Sequence, residues 1–244
     1  MPTGIGGEKL WLCPTLDDSA NDLSGNSNNG TYNGGMGTVA DTSNGGTRAY
    51  SFDGYDDYIN CGSSSTIHSN SVFTYSLWIK ASSNTGTTVG VFGAYEHTTG
   101  DRGALFAVGT NFSNKGAFYY QSVGSTYNSN QLLQSTVNVV DGTWHHIVCV
   151  FDGVNGTAKF YRDGTLAGST SSNVPSAVNQ STDFLVGRGA ALNFSGVVDD
   201  ARIFDRALST SEITALASKR GYEVPAAPSG SIPHALSSPF HPLG

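Results

Sequence analysis

The sequence predicts an all-β protein: a sandwich of two antiparallel sheets, one short helix towards the C-terminal end, and a proline-rich extended tail. Three observations carry this. Segments of apolar/polar alternation recur along the chain, most plainly at residues 73–80 (FTYSLWIK), and period two is the mark of a strand with one buried face. Intervals rich in Gly, Asn, Ser and Thr separate these segments at the short spacing a many-stranded sandwich requires. Helical patterning is confined to residues 209–221, and five of the eight prolines follow it.

Taken in order, strands are expected at residues 9–13, 48–52, 58–61, 73–80, 89–95, 104–108, 117–121, 144–151, 158–162, 184–187 and 197–204. In the fourth of these, Phe73, Tyr75, Leu77 and Ile79 share one face, with Thr74, Ser76, Trp78 and Lys80 on the other. Asn155-Gly156 and Asp163-Gly164 supply the positive φ of tight hairpin turns and join three strands into a meander. Residues 24–46 and 124–135 are long and polar and read as loops, the natural places for specificity. Ser209 and Glu212 form a capping box, with Leu208 and Ile213 as a hydrophobic staple. Lys219 and Arg220 are expected in the last helical turn, with Gly221 closing it. Ile213, Leu216 and Ala217 would face the sandwich. Domain 1–221 is therefore expected to end with the helix. Residues 222–244 are too rich in proline for a helix or a central strand. Ile232, Leu236, Phe240 and Leu243 recur along them, so they read as an extended arm that docks on a neighbouring subunit or, failing that, as a tail.

At 244 residues the chain suffices for one domain with a sizeable core. A net charge of −7 with scattered Lys and Arg argues against nucleic acid. No apolar run reaches the roughly 18–20 residues of a membrane span, and Met1 to Gly7 lacks the character of a signal peptide. Three cysteines, Cys13, Cys61 and Cys149, cannot all pair within one chain. Cys149 reads as a small buried hydrophobe, and a Cys13–Cys61 pair is left open.

Three segments fall in a fixed order: residues 49–62 (AYSFDGYDDYINCG), 142–168 (GTWHHIVCVFDGVNGTAKFYRDGTLAG) and 196–213 (GVVDDARIFDRALSTSEI). Together they resemble the laminin G-like, concanavalin A-like lectin/glucanase family, over residues 10–221. The resemblance implies a two-sheet jelly roll that binds a glycan or a protein and catalyses nothing unless extra carboxylates are installed. Relatives with the laminarinase-type site carry a Glu-x-Asp-x-x-Glu strand, because retaining hydrolysis needs two carboxyl groups about 5 Å apart. The four glutamates here, Glu8, Glu96, Glu212 and Glu223, are not so spaced. The resemblance also makes room for one Ca²⁺, for which carboxylates with backbone carbonyls are the fitting donors. Asp53-Gly54, Asp56-Asp57 and Asp199-Asp200 belong to the segments that carry the resemblance, and Asp199, Asp53 and Asp18 are the candidate ligands, with turn capping as the alternative role for such aspartates. Asp199 shares parity with Ala201 and Ile203 and is expected to point inward.

Neighbouring strand residues face opposite ways, so His145 and His146 read as structural and not as a shared metal site. For a sugar, the candidates are Tyr95, His97, Arg102, Tyr119, Tyr127, Arg188 and Asn193, which combine aromatic faces with polar tips. Lone domains of this kind, ending in a helix such as ALSTSEITALASKRG and a short tail, look like structural proteins of tailed phages. The expected function is accordingly a non-enzymatic virion surface protein, a capsid decoration or fibre component. It would be a homo-oligomer, docked on capsid or other virion proteins through its C-terminal arm and able to hold host glycans. The alternative is a secreted or cell-surface bacterial carbohydrate-binding module. A glycoside hydrolase is disfavoured.

Overall fold

The computed structural model describes residues 4–67, 71–81, 88–95, 103–122, 131–178, 182–189 and 192–224. Along them run β1 (Glu8–Leu12), β2 (Thr31–Asn33), β3 (Gly37–Ala40), β4 (Arg48–Asp53), β5 (Tyr58–Asn60), β6 (Val72–Lys80), β7 (Val89–Ala94), β8 (Ala104–Val108), β9 (Lys115–Tyr120) and β10 (Leu132–Asn138). The chain continues through β11 (Trp144–Asp152), β12 (Thr157–Arg162), β13 (Thr165–Thr170), β14 (Leu185–Val186), β15 (Arg188–Gly189), β16 (Leu192–Asn193), β17 (Ser195–Phe204) and α1 (Thr210–Leu216). One antiparallel sheet has the order β13-β12-β11-β6-β17-β4-β3, with β1 beside the far half of β17. The other has the order β10-β9-β8-β7-β14-β5-β2, and β15–β16 form a separate small ladder. The two sheets make the sandwich.

Alternation sets the core. Phe73, Tyr75, Leu77 and Ile79 of β6 meet Phe92, Phe118 and Phe184 from the opposite sheet in one cluster. Phe73 stacks on Phe151 at 5.1 Å, and Phe92 meets Phe184 edge-on at 4.7 Å, arrangements that add to the burial of each ring. The meander β11–β12–β13 turns at Gly156 (φ 63°) and at Asp163-Gly164 (φ 52° and 77°), as their sequence requires.

Besides the two-residue β15 and β16, three strands escaped the sequence reading. Residues 24–46 hold β2 and β3, and β10 begins inside 124–135. All three lie at sheet edges and are exposed along much of their length, so their burial asks little of the sequence. The stretch expected as one strand at 184–187 is instead β14, a turn at Gly187 (φ 84°), and β15.

The capping box at Ser209 is present, with its oxygen accepting from the Glu212 amide and Glu212 reaching back to the Ser209 amide. Ile213 and Leu216 pack on Val148, Val150 and Phe204. The second face of β6 is therefore buried as well as the first: Thr74, Ser76 and Trp78 are shut off from solvent. Lys219 and Arg220 do not occupy the last helical turn, because α1 ends at Leu216 with Ala217 as its C-cap. Arg220 instead folds back beneath the sheet. It stacks on Trp144 at 4.2 Å, donates to the Ser43 carbonyl at 2.9 Å and meets Asp199 at 3.6 Å. It also bonds Asp41 through both its carbonyl and its carboxylate. Gly46 is required there, since a Cβ would sit 1.8 Å from the guanidinium.

Asp199 corrects a second expectation. The β17 register shifts between Asp199 and Arg202, and Asp200 takes a positive φ of 49°. This bulge resets parity. Val198, Ala201 and Ile203 face the core, while Asp199 pairs across from Trp78 on the opposite face. There it accepts from Thr15 and from the Asp200 amide. Burial, with the neighbouring Asp200 charge, pushes its carboxyl up to about 6, opposed by the Thr15 bond and Arg220. Asp200 in turn accepts from Trp11 at 2.7 Å, Arg202 at 2.8 and 3.1 Å, and the Gly221 amide at 3.1 Å. Arg202 also reaches the carbonyl of Tyr222 at 2.5 Å, so the first residue of the expected arm belongs to the sandwich.

Arg220→Ala should cost about 3–5 kcal/mol, because it leaves the buried Asp199 without the guanidinium 3.6 Å away. A carboxyl whose folded pKa lies above its unfolded value stabilises the fold below the unfolded pKa and loses that contribution as pH rises through the folded one. Without Arg220 the ionised Asp199 has no guanidinium beside it, so the deficit should widen above about pH 6 and shrink at pH 5. Urea melts of the two proteins at pH 5 and pH 8 measure this; an equal deficit at both would contradict it.

Candidate functional site

The helix covers the outer face of one sheet, and the outer face of the other carries the clefts. Across that sheet the register aligns Tyr119, Leu105, Gly93, Leu185, Asn60 and Thr31 in one row, strand by strand from β9 to β2. One cleft of about 350 Å³ is lined by Tyr58, Asn60, Tyr95, Thr182, Asp183, Leu185 and Arg188. A second, of about 410 Å³, is lined by Asn29, Thr31, Asn33, Asn60, Cys61, Gly62 and Asp183. Asn60 and Asp183 belong to both and are bonded to each other at 2.8 Å. Asn60 also accepts from the Gly62 amide at 2.7 Å, so its amide is fixed in advance. The alternation of β5 explains the placement: Ile59 enters the core while Tyr58 and Asn60 face out.

The small ladder β15–β16 bounds one end. It packs on β7 at van der Waals contact, which Gly90 and Gly189 permit: a Cβ on Gly90 would lie 2.4 Å from the Gly189 backbone. Arg188 on β15 lies 5.0 Å over the Tyr58 ring.

Of the residues expected to hold a sugar, Tyr95 and Arg188 line the first cleft. Tyr119 packs behind Tyr95, ring to ring at 5.8 Å. Asn193 sits opposite Arg188 in the small ladder and donates its amide to the Tyr55 carbonyl. His97, Arg102 and Tyr127 lie outside the described residues. The sequence reading missed Asn29, Thr31, Asn33, Tyr58, Asn60, Thr182 and Asp183. The outward parity of Tyr58 and Asn60 around Ile59 was the available signal, and the polar segment 24–46 supplies Asn29, Thr31 and Asn33.

The candidate calcium ligands are not brought together. Asp18 pairs with Arg48 at 2.9 Å and accepts from Thr38, and Asp199 is enclosed with Thr15 and Arg220. Asp53 instead stands with Asp56 and Asp57 in the β4–β5 turn, their ligand atoms all within 4.8 Å of one another. Asp57 is 5% exposed, and its Oδ1 has no hydrogen-bond partner, while Oδ2 accepts from the Asp53 amide at 3.1 Å. Oxygen donors with an orphaned buried carboxylate atom fit a hard cation.

His145 and His146 are engaged separately. His145 lies 2.8 Å from Asp163 and 3.1 Å from Asp141, and hydrogen bonding to Asp163 raises its pKa against burial. His146 bonds Ser76 at 2.9 Å, and burial pushes its pKa down to about 4. Glu8 pairs with Arg202 at 3.5 Å, and Glu212 serves the helix cap and Arg206. Cys13, Cys61 and Cys149 are all free and buried.

Residues 53–214 match the family model described as the concanavalin A-like lectin/glucanases superfamily. Among solved structures, the binding domain of paraclostridial mosquitocidal protein 1 is similar with a TM-score of 0.69 at 16% identity, over 86% of this chain and 52% of that one. Domain 4 of AbnA, a GH43 extracellular arabinanase from Geobacillus stearothermophilus solved with arabinotriose, gives 0.60 at 20% identity, over 86% and 98%. The botulinum neurotoxin serotype D ligand-binding domain, solved with N-acetylneuraminic acid, gives 0.63 at 18%, over 86% and 50%. The chain thus spans about half the length of the two toxin domains. At these identities the likeness is one of fold. No curated protein sequence matches the chain.

Proposed function

The chain belongs to the concanavalin A-like lectin/glucanases superfamily, and from that premise we propose that it is a non-catalytic glycan-binding module whose ligand lies in the clefts over β2, β5 and β14. The lining carries the proposal. Asn29, Asn33, Asn60, Thr31 and Thr182 offer amides and hydroxyls, Tyr58 and Tyr95 offer rings, and Asp183 is the single carboxylate among the described lining residues. Glycoside hydrolysis by the usual routes needs two carboxyl groups flanking the bond, whereas hydroxyl recognition needs a few well-placed polar groups in a concave surface. Two of the solved neighbours are named as binding domains, and the third is a domain of an arabinanase solved with arabinotriose, which supports the same reading.

Titration against arabino-oligosaccharides, sialylated and neutral oligosaccharides should find a binder. Asn33→Ala and Thr31→Val, both near the surface, should weaken it about tenfold, roughly 1.4 kcal/mol, without lowering the melting temperature. A reducing-end assay on the same sugars should stay at background. Turnover that disappears in Asp183→Asn would replace the binding reading with a hydrolase.

Asp53, Asp56 and Asp57 would hold a Ca²⁺ ion in the β4–β5 turn, next to β5, where it would brace the strand that carries Tyr58 and Asn60. Binding to the native state alone stabilises it by RT ln(1 + [L]/Kd). Millimolar calcium should raise the melting temperature over that in chelator, and Asp57→Asn should abolish the rise. A melting temperature indifferent to calcium would leave these aspartates as turn-capping groups.

We further propose display at a surface, that of a virion or, alternatively, of a bacterial cell, with the chain in homo-oligomers or docked on capsid proteins through residues 225–244, which lie outside the described residues. The spaced apolar residues among its prolines support a docking arm. Truncation after Val224 should leave melting unchanged, since the bond from Arg202 to Tyr222 is kept, and should reduce assembly seen by sedimentation. Unaltered assembly would remove the arm from the account.

A further inference from the structure

We infer that the end of the cleft beside Arg188 is an anion subsite, so that the glycan taken there carries a carboxylate, as sialic and uronic acids do. This rests on the glycan-binding reading above and narrows it to a ligand class.

The argument starts from the arginines. Among the described residues, Arg48 holds Asp18 at 2.9 Å, Arg162 holds Asp163 at 3.3 Å, Arg202 holds Asp200 at 2.8 Å, Arg206 holds Glu212 at 2.7 Å and Arg220 holds Asp41 at 3.2 Å. Arg188 differs from all of them. It is half-buried, lines a cleft and lies 5.0 Å over the Tyr58 ring, with no carboxylate of the described residues in ion-pair range. Stacking occupies one face of the guanidinium and leaves the in-plane N–H groups as donors, the geometry that suits a carboxylate in two parallel hydrogen bonds.

Its position is also fixed. Gly187 and Gly189 flank it, and a Cβ would meet the Phe52 ring at 2.2 Å from the first and Leu105 at 2.8 Å from the second. The backbone on both sides is thus pressed against packed side chains, and little ordering is left to be done on binding.

Asp183 lines the same cleft yet forms no ion pair with Arg188. Two opposite charges that share a small cleft without meeting suit a ligand that lies between them. An ionised carboxylate only accepts, so Asp183 takes sugar hydroxyls and repels an acid group, while Arg188 attracts it. The pair therefore orients an acidic sugar, with its carboxylate towards Arg188 and its hydroxyls towards Asp183 and Asn60.

The test is calorimetric titration of the full chain with matched ligands: sialyllactose against lactose, and oligogalacturonate against its methyl ester. At least one acidic member should bind ten times or more tightly than its neutral partner, with the gap narrowing as salt is added. Which acid wins separates the two sources. Arg188→Gln should erase the gap by bringing the acidic ligand's affinity down to that of its neutral partner, and Arg188→Lys should restore part of it. Equal affinity for acidic and neutral partners, or a preference that survives Arg188→Gln, overturns the anion subsite and leaves glycan binding standing. No binding of any of the four sugars by the unaltered chain overturns both. Should Arg188→Gln fail to fold, the Lys variant and the salt dependence of the unaltered protein decide alone.

Discussion

Two adjacent aspartates on β17 have to be accommodated in a place that water does not reach, and much of the rest of the fold is arranged to do so. Asp199 and Asp200 are both buried, and an unpaired charge there would cost several kcal/mol. Arg202 answers Asp200 from the same strand. Arg220 answers Asp199 from beyond the helix, so the C-terminal segment must return to the sheet. Each guanidinium lies over an indole, Trp11 at 3.9 Å and Trp144 at 4.2 Å. Those rings come from β1 and β11, and Asp41 and Ser43 come from the β3–β4 connection. The first strand, the segment that follows the helix and an edge of the sheet are thereby tied to one charged layer.

That layer explains why the two sheets differ on their outer sides. The return of the chain to Arg220 brings α1 across β11 and β17, where Ile213 and Leu216 cover Val148, Val150 and Phe204. Among the described residues no helix covers the outer side of the second sheet, where Tyr95, Phe112 and Tyr119 shield only Leu105, Ala107 and Ala117. What lies on it instead is the short β15–β16 ladder, admitted close to β7 by two glycines. The clefts open beside that ladder. The same strand order that buries most of β6, β11 and β17 on both faces leaves clefts open beside β5 and β14.

The cleft's chemistry is held by its own bonds before any ligand arrives. Asn60 is bound on both sides, by Asp183 and by the Gly62 amide, and Arg188 is carried on a backbone pinned by its neighbours. Groups already in place lose little freedom on binding, which would suit this mostly polar surface to the sugar proposed for it.

Local pattern carried most of the sandwich. The alternation in 73–80, the Asp163-Gly164 turn and the Ser209–Glu212 box each act within a few residues, and each appears as the sequence predicts. The resemblance of segments 49–62, 142–168 and 196–213 named the family that the match over residues 53–214 establishes. Tertiary structure decided the rest, because the deciding contacts join distant residues. A bulge at Asp200 turned Asp199 to the opposite face, since register with β6 and not parity along β17 sets where a side chain points. Arg220 left the helix end because Asp41, Trp144 and the buried Asp199, all distant in sequence, offered its charge partners. β2, β3 and β10 were illegible because edge strands bury little and need little alternation. Asn60 and Asp183 share a cleft only once β5 and β14 pair, so no pattern within either segment announces it.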